Sequence, residues 1–116
     1  KVAARGQYPT QADCSSFATW CLWNGLFVPF GVRDTVNGAR WEYGYTGTMV
    51  QHGKRVVHRS NVQGGDLALY GDPNGRTGHV AVCVGGGKVI SFGSEPGPFL
   101  LPIDYRSDLR EIRRYI

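Results

Sequence analysis

The sequence predicts an α+β domain in which one N-terminal helix packs on an antiparallel β-sheet. Three observations carry this. Helical apolar spacing occurs once, near the start of the chain; short β-branched runs separated by Gly and Pro fill the second half; and the two kinds of pattern do not alternate. The length of 116 residues fits one domain, 1–116, with a core that needs neither disulfides nor metal. The chain opens on Lys1, which reads as a domain excised from a longer protein.

Residues 1 to 12 are irregular, broken by Gly6 and Pro9. Cys14, Phe17, Ala18, Cys21 and Leu22 then follow i, i+3, i+4, i+7, i+8, so a helix is expected over residues 14 to 24. Asp13 suits the N-cap and Gly25 the C-terminal stop. From Val28 to His58 the chain is rich in Gly and aromatic residues and has no sustained period. Such a stretch contains short elements or lines a cleft, or else packs Trp41, Tyr43 and Tyr45 into a satellite core.

Strands are expected in "DLALY" (66–70), "GHVAVCVG" (78–85), "KVISFG" (88–93), "LLPIDY" (100–105) and "LREIRRYI" (109–116), joined as a meander. Alternation puts His79, Ala81 and Cys83 on one face of their strand and Val80, Val82 and Val84 on the other. The first face is small-sided, so the helix is expected there. A three-residue turn at Gly85-Gly86-Gly87 would pair Val84 with Lys88 and Ala81 with Ser91, making Ser91 a same-face neighbour of His79. A slip of one residue would present Phe92 instead.

Composition narrows the function. Apolar residues make up 41% and charged residues 19%, as in a globular domain, and no run approaches the roughly 20 apolar residues of a membrane helix. The formal charge of +4 favours anionic surroundings, but the basic residues are scattered and form no nucleic-acid motif. The three cysteines lack metal spacing, and on a helix Cys14 and Cys21 would lie about 10 Å apart, beyond disulfide reach.

Two readings of Cys14 fit the pattern. It is an apolar residue on a buried face, as Cys21 and Cys83 are read, or it is a nucleophile. The second draws on its place in the first helical turn, where free backbone amides and the helix dipole favour a thiolate and can hold an oxyanion. A neighbouring imidazolium at His79 would lower the thiol pKa further. Asp13 opposes this if its carboxylate faces sulfur, and not if it caps the helix. His52 and His58, in glycine-rich or basic context, are expected to be exposed.

The stretch "DCSSFATW" resembles the Asp-Cys-Ser-Gly/Ser signature of NlpC-type cell-wall peptidases. "GGDLALYGDPNGRTGHVAVCVGGGKVIS" is similar to their Gly-Asp-Leu strand, Gly-His-Val strand and glycine turn, in that order. The resemblance runs from about Tyr8 to Ser91, with the middle unmatched. It implies a papain-like α+β fold and a cysteine peptidase that needs no cofactor and cuts peptidoglycan stem peptides, typically after D-glutamate.

By position it implies Cys14 as nucleophile, His79 as general base and then acid, and a polar orienter at Ser91, where the family usually has His, Asn or Gln. Glu95 is the alternative orienter. The resemblance further implies substrate-pocket roles for Asp13 and Ser15 and a place near the oxyanion for Tyr8. Two phrases, "SSFATW" and "FGSEPGP", look most like lysis enzymes of actinobacterial phages. The expectation is thus a monomeric enzyme acting at the bacterial wall or outside the cell, with neither nucleic acid nor membrane insertion. The rival expectations are a CHAP-type amidase or cross-bridge endopeptidase, and an inactive wall-binding module.

Overall fold

The computed structural model describes residues 6–7, 12–25, 45–72, 77–93 and 97–115. Helix α1 spans Cys14–Gly25 and the short α2 Thr46–Met49. The strands are β1 (Lys54–Arg55), β2 (Leu67–Gly71), β3 (Thr77–Gly85), β4 (Lys88–Ser91), β5 (Phe99–Pro102) and β6 (Leu109–Arg114). They form one antiparallel sheet in the order β1-β6-β2-β3-β4-β5. The expected helix and five strands are all present. The meander holds only from β2 to β5, because β6 returns across the sheet to pair with β2.

Asp13 starts α1 with a reciprocal cap. The Ser16 amide donates to Asp13 Oδ1 at 2.8 Å and the Asp13 amide to Ser16 Oγ at 2.9 Å. This is the capping-box arrangement, with serine in the place usually held by Glu or Gln. The first helical bond follows, Phe17 N–H to the Asp13 carbonyl at 3.0 Å. The fully buried stripe of α1 is Ser15, Ser16, Ala18, Thr19 and Leu22, with Cys14, Phe17 and Cys21 only partly buried beside it.

α1 sits on the valine face of β3, where Ala18 and Leu22 pack with Val80, Val82, Leu67, Leu69 and Met49. The expected seat, the Ala81 and Cys83 face, is the wrong one. The small residues that permit close approach are on the helix, at Ser15, Ala18 and Thr19, so the sheet can present valines to them. The other face carries Ala68, Tyr70, Ala81, Cys83 and Val89, covered by Ile103, Ile112 and the flanking Val56, Val62 and Tyr105.

The turn between β3 and β4 also differs from expectation. Ala81 pairs with Ser91 as predicted, but Lys88 pairs with Gly85 instead of Val84, with a bulge between Cys83 and Gly85. Gly86 and Gly87 form a two-residue turn with φ of +63° and +72°, the backbone sign that a type I′ hairpin demands and that glycine adopts without strain. The bulge absorbs the extra residue, so the register at Ser91 is the same by either route.

Asp66, which ends the "GGD" turn, is 2% exposed and receives Arg114 through two bonds, Nε to Oδ1 at 2.8 Å and Nη2 to Oδ2 at 2.9 Å. It also accepts the Gln63 amide at 2.8 Å. This clamp fixes the start of β2 against the end of β6. Of the middle segment, the described part holds α2 and β1, and Tyr45 is 56% exposed, which removes it from the expected satellite core. Trp41 and Tyr43 lie outside the described residues. No described helix is long and apolar enough to cross a membrane.

The seam between α1 and the sheet should carry much of the stability. Leu22→Ala, at a side chain 1% exposed, is expected to lower the unfolding free energy by about 3 kcal/mol in a urea titration. A loss below about 1 kcal/mol would mean that the helix is not seated as described.

Candidate active site

Cys14 is half-buried at the first position of α1. The backbone amide of Val80 acts on its sulfur and favours the thiolate, as do the amides of Ser15 and of Cys14 itself. The β4 ladder reaches β3 only as far as Ala81, so residues 77 to 80 run beyond β4 and the Val80 amide is available to the sulfur. Val80 adjoins His79 in the chain. The cysteine, which approaches from the valine face, therefore lies at the peptide group that carries the histidine.

His79 is 8% exposed. Its Nε2 is 2.9 Å from Ser91 Oγ, and Ser91 is completely buried. The imidazole is walled by Tyr70, with ring centroids 5.9 Å apart, and by Tyr105 at 6.5 Å, edge to face. The register inferred from sequence puts Ser91 on this side, and alternation sends Phe92 to the helix side, where it stacks on Phe17 at 5.4 Å. Ser91 thus meets His79 as expected. With Nε2 turned to Ser91, Nδ1 is the nitrogen that can take a proton from a thiol.

Sequence reasoning missed Tyr105. Its hydroxyl is 3.0 Å from Ser91 Oγ, so the contact runs on from His79 through Ser91 to Tyr105. No local pattern marks it: Tyr105 follows the β5 turn and read as the last residue of a strand. Tyr70 is read from the sequence only as a strand residue. Its hydroxyl donates to the Ile103 carbonyl at 2.7 Å, which pins the 103–105 turn under the imidazole.

Asp13 turns its carboxylate to the helix amides, accepting Ser16 N–H and, at 3.2 Å, the Ser15 hydroxyl. Burial works to raise its pKa, but the Ser16 amide and the two serine hydroxyls outweigh that and leave it lowered. The ionised cap therefore stabilises the fold above the ordinary carboxylate value of 3.8 and is lost as pH falls through the lowered one. Ser15 is 7% exposed and serves the carboxylate from within the helix seam. Tyr8 and Glu95 lie outside the described residues. Gly6 and Gln7 just before Tyr8 are tied to α1, through the Gly6 amide to Asn24 Oδ1 at 2.8 Å and Trp20 Nε1 to the Gln7 carbonyl at 2.7 Å.

The thiol is not the ready thiolate that the helix position suggested. Burial pushes the Cys14 pKa up, the Val80 amide pulls it down, the Asp13 charge adds to the rise, and the amides of Ser15 and Cys14 oppose it; the net direction is upward. Cys21 and Cys83 are raised by burial to about 11 and about 12. Cys83 is 1% exposed and Cys21 packs at the core edge, as befits structural thiols. All three are free, and His52 and His58 are exposed. Among the described residues no group of His, Cys, Asp and Glu has the makings of a metal site. An open groove of about 530 Å³ between Lys54 and Arg114 includes none of Cys14, His79 and Ser91.

Asp13→Asn separates the cap from the charge. Asparagine caps a helix as well as aspartate does, so the fold should be kept while the repulsion on the thiolate disappears. Iodoacetamide labelling of Cys14 at pH 8, followed by mass spectrometry, should run roughly two- to fivefold faster than in the parent. In the parent, Cys14 should label ahead of Cys21 and Cys83. An unchanged rate in the variant would mean that Asp13 exerts no field at the sulfur.

No family model matches the chain, and no curated protein sequence does. Solved structures do match. NlpC1 from Trichomonas vaginalis superposes with a TM-score of 0.70 at 19% identity, over 95% of this chain and 37% of that one. An NlpC/P60 family protein from Bacillus cereus ATCC 10987 gives 0.64 at 24%, over 89% and 31%. The NlpC/p60 domain of the peptidoglycan hydrolase SagA gives 0.64 at 23%, over 95% and 82%. The chain spans about a third of the length of the first two of these structures. The fold of this chain is thus the papain-like α+β fold of NlpC/P60 domains.

Proposed function

We propose that this domain is a cysteine peptidase that hydrolyses amide bonds in the stem peptides of bacterial peptidoglycan. One observation carries the reading: the Val80 amide acts on the Cys14 thiol, and the residue before Val80 is a buried His79 whose Nε2 is held by Ser91. The fold shared with the domain of SagA, a peptidoglycan hydrolase, supports the substrate class.

In the reaction the Cys14 thiol proton passes to His79 Nδ1 as sulfur attacks the peptide carbonyl carbon. Because burial keeps the resting thiol neutral, His79 acts as a general base during attack and not as a pre-formed counter-ion. The amides of Cys14 and Ser15 receive the oxyanion; Ser16 N–H is already engaged by Asp13. His79 then protonates the leaving nitrogen, the C–N bond breaks, and a thioester remains on Cys14. Water, deprotonated by His79, attacks the thioester and releases the carboxylate and the thiol.

Ser91 orients the imidazole. Asp13 and Ser15 shape the entrance, Ser15 acting through the Asp13 carboxylate. Tyr8 is assigned to the oxyanion side, and Glu95 remains the second candidate for the orienting role. The bond assigned is the one after D-glutamate. The domain acts as a monomer at the bacterial cell wall or outside the cell, secreted or released to the wall by a phage, and its +4 charge favours retention on an anionic wall.

Purified wall treated with the domain should release soluble fragments, and Cys14→Ala should lower that release by at least about 10³-fold with the fold intact by circular dichroism. Equal lysis by Cys14→Ala would overturn the enzyme reading in favour of a wall-binding module. Mass analysis of the fragments tests the bond: a new amino terminus on the residue after D-glutamate is expected. One on L-alanine would point to an amidase, and one on a bridge residue to a cross-bridge endopeptidase.

A further inference from the structure

Serine is an ambiguous orienter for a catalytic histidine. A hydroxyl both donates and accepts, so on its own it can accept from a protonated Nε2 or donate to a bare one. The second arrangement moves the ring proton to Nδ1, the nitrogen that must be bare to take the thiol proton. Ser91 is short and fully buried. Something else must settle the position and proton of its hydroxyl.

We propose that Tyr105 is a positioning residue that holds the Ser91 hydroxyl as an acceptor for His79 Nε2–H, so that His79, Ser91 and Tyr105 work as one relay. The distances are 2.9 Å from Nε2 to Ser91 Oγ and 3.0 Å from Ser91 Oγ to the Tyr105 hydroxyl. The Tyr105 ring is itself fixed, packed edge-on against Tyr70 at 5.6 Å and against the imidazole. Arg106 lies 5.5 Å over the Tyr70 ring and is clamped by Asp108 through bonds of 2.9 and 2.7 Å. Held by its ring contacts, Tyr105 ties the Ser91 oxygen that meets the histidine. Asp108, whose charge acts on His79, is paired with Arg106, and the contact at Nε2 is with a neutral hydroxyl.

The inference rests on the role assigned to His79 in the proposed function, and its test separates the two. In the folded protein, nitrogen-detected NMR of His79, distinguished from the exposed His52 and His58, should show the Nε2–H tautomer when the ring is neutral. Tyr105→Phe keeps the ring contacts and removes one oxygen. It should give a mixed tautomer and a lower His79 pKa, with kcat on wall peptide down about five- to twentyfold and KM within twofold. Ser91→Ala should do the same, and the double variant Ser91→Ala/Tyr105→Phe should be no worse than Ser91→Ala alone.

An unchanged tautomer and pKa in Tyr105→Phe would overturn the relay, as would losses that add in the double variant. A parent protein that shows the tautomer and its response to Tyr105→Phe, yet releases nothing from wall, would leave the relay standing and remove the assigned function.

Discussion

Everything at the candidate site depends on one backbone group, the Val80 amide, and on where β4 stops. Side chains alternate along β3, so His79 and Val80 point to opposite faces of the sheet. A helix seated on the Val80 face cannot bring its cysteine to an imidazole on the other face through the sheet. It can do so round the margin of β3, and the margin is open there because the β4 ladder ends at the Ala81 and Ser91 pair. The Val80 N–H then has the sulfur as partner, and a backbone donor that would otherwise need another acceptor becomes the anchor of the first residue of α1. Lengthening β4 by one pair would close that margin.

The same geometry explains which parts of the fold were legible in the sequence. The helix, five of the six strands and the Ser91 register follow from local periodicity and from glycine placement, and these are properties of neighbouring residues. Which face the helix occupies is not. Small residues at Ala81 and Cys83 suggested a seat that is instead filled by Ile103 and Ile112, which lie far along the chain. The stripe of Ser15, Ala18 and Thr19 was in plain view, but it was overshadowed by the more apolar Cys14, Phe17 and Cys21. Close approach is a property of a pair of surfaces, and reading one surface alone assigned the small side to the wrong partner. The return of β6 to β2 was hidden for a similar reason, since the Asp66 and Arg114 clamp that fixes it joins residues 48 apart.

Under the proposed function, Asp13 sets a cap against a nucleophile at one helix end. A carboxylate is the stronger choice for holding the Ser16 amide and complements the helix dipole, but its charge lies one residue from a sulfur that must become negative. Burial of Cys14 adds to that cost, and the net direction of its pKa is upward. The amides of Val80, Ser15 and Cys14 pull the other way and do not prevail in the resting state. A site built like this keeps a protonated thiol, which is less open to oxidation than an exposed thiolate, and it shifts the burden of activation to the histidine.

That burden makes the tautomer of His79 decisive. A thiolate formed in advance needs only a nearby positive charge, and an imidazolium supplies one whichever way its second nitrogen is held. A neutral thiol needs a bare nitrogen aimed at it at the moment of attack, so the other nitrogen must carry the proton and keep it. The imidazole is walled by Tyr70 and Tyr105, and its Nε2 meets the fully buried Ser91. Ser91 reaches the imidazole itself, and the tyrosine behind it holds its hydroxyl. A raised thiol pKa and a buried hydroxyl relay are in this sense two consequences of seating both groups in the low-dielectric margin of one strand.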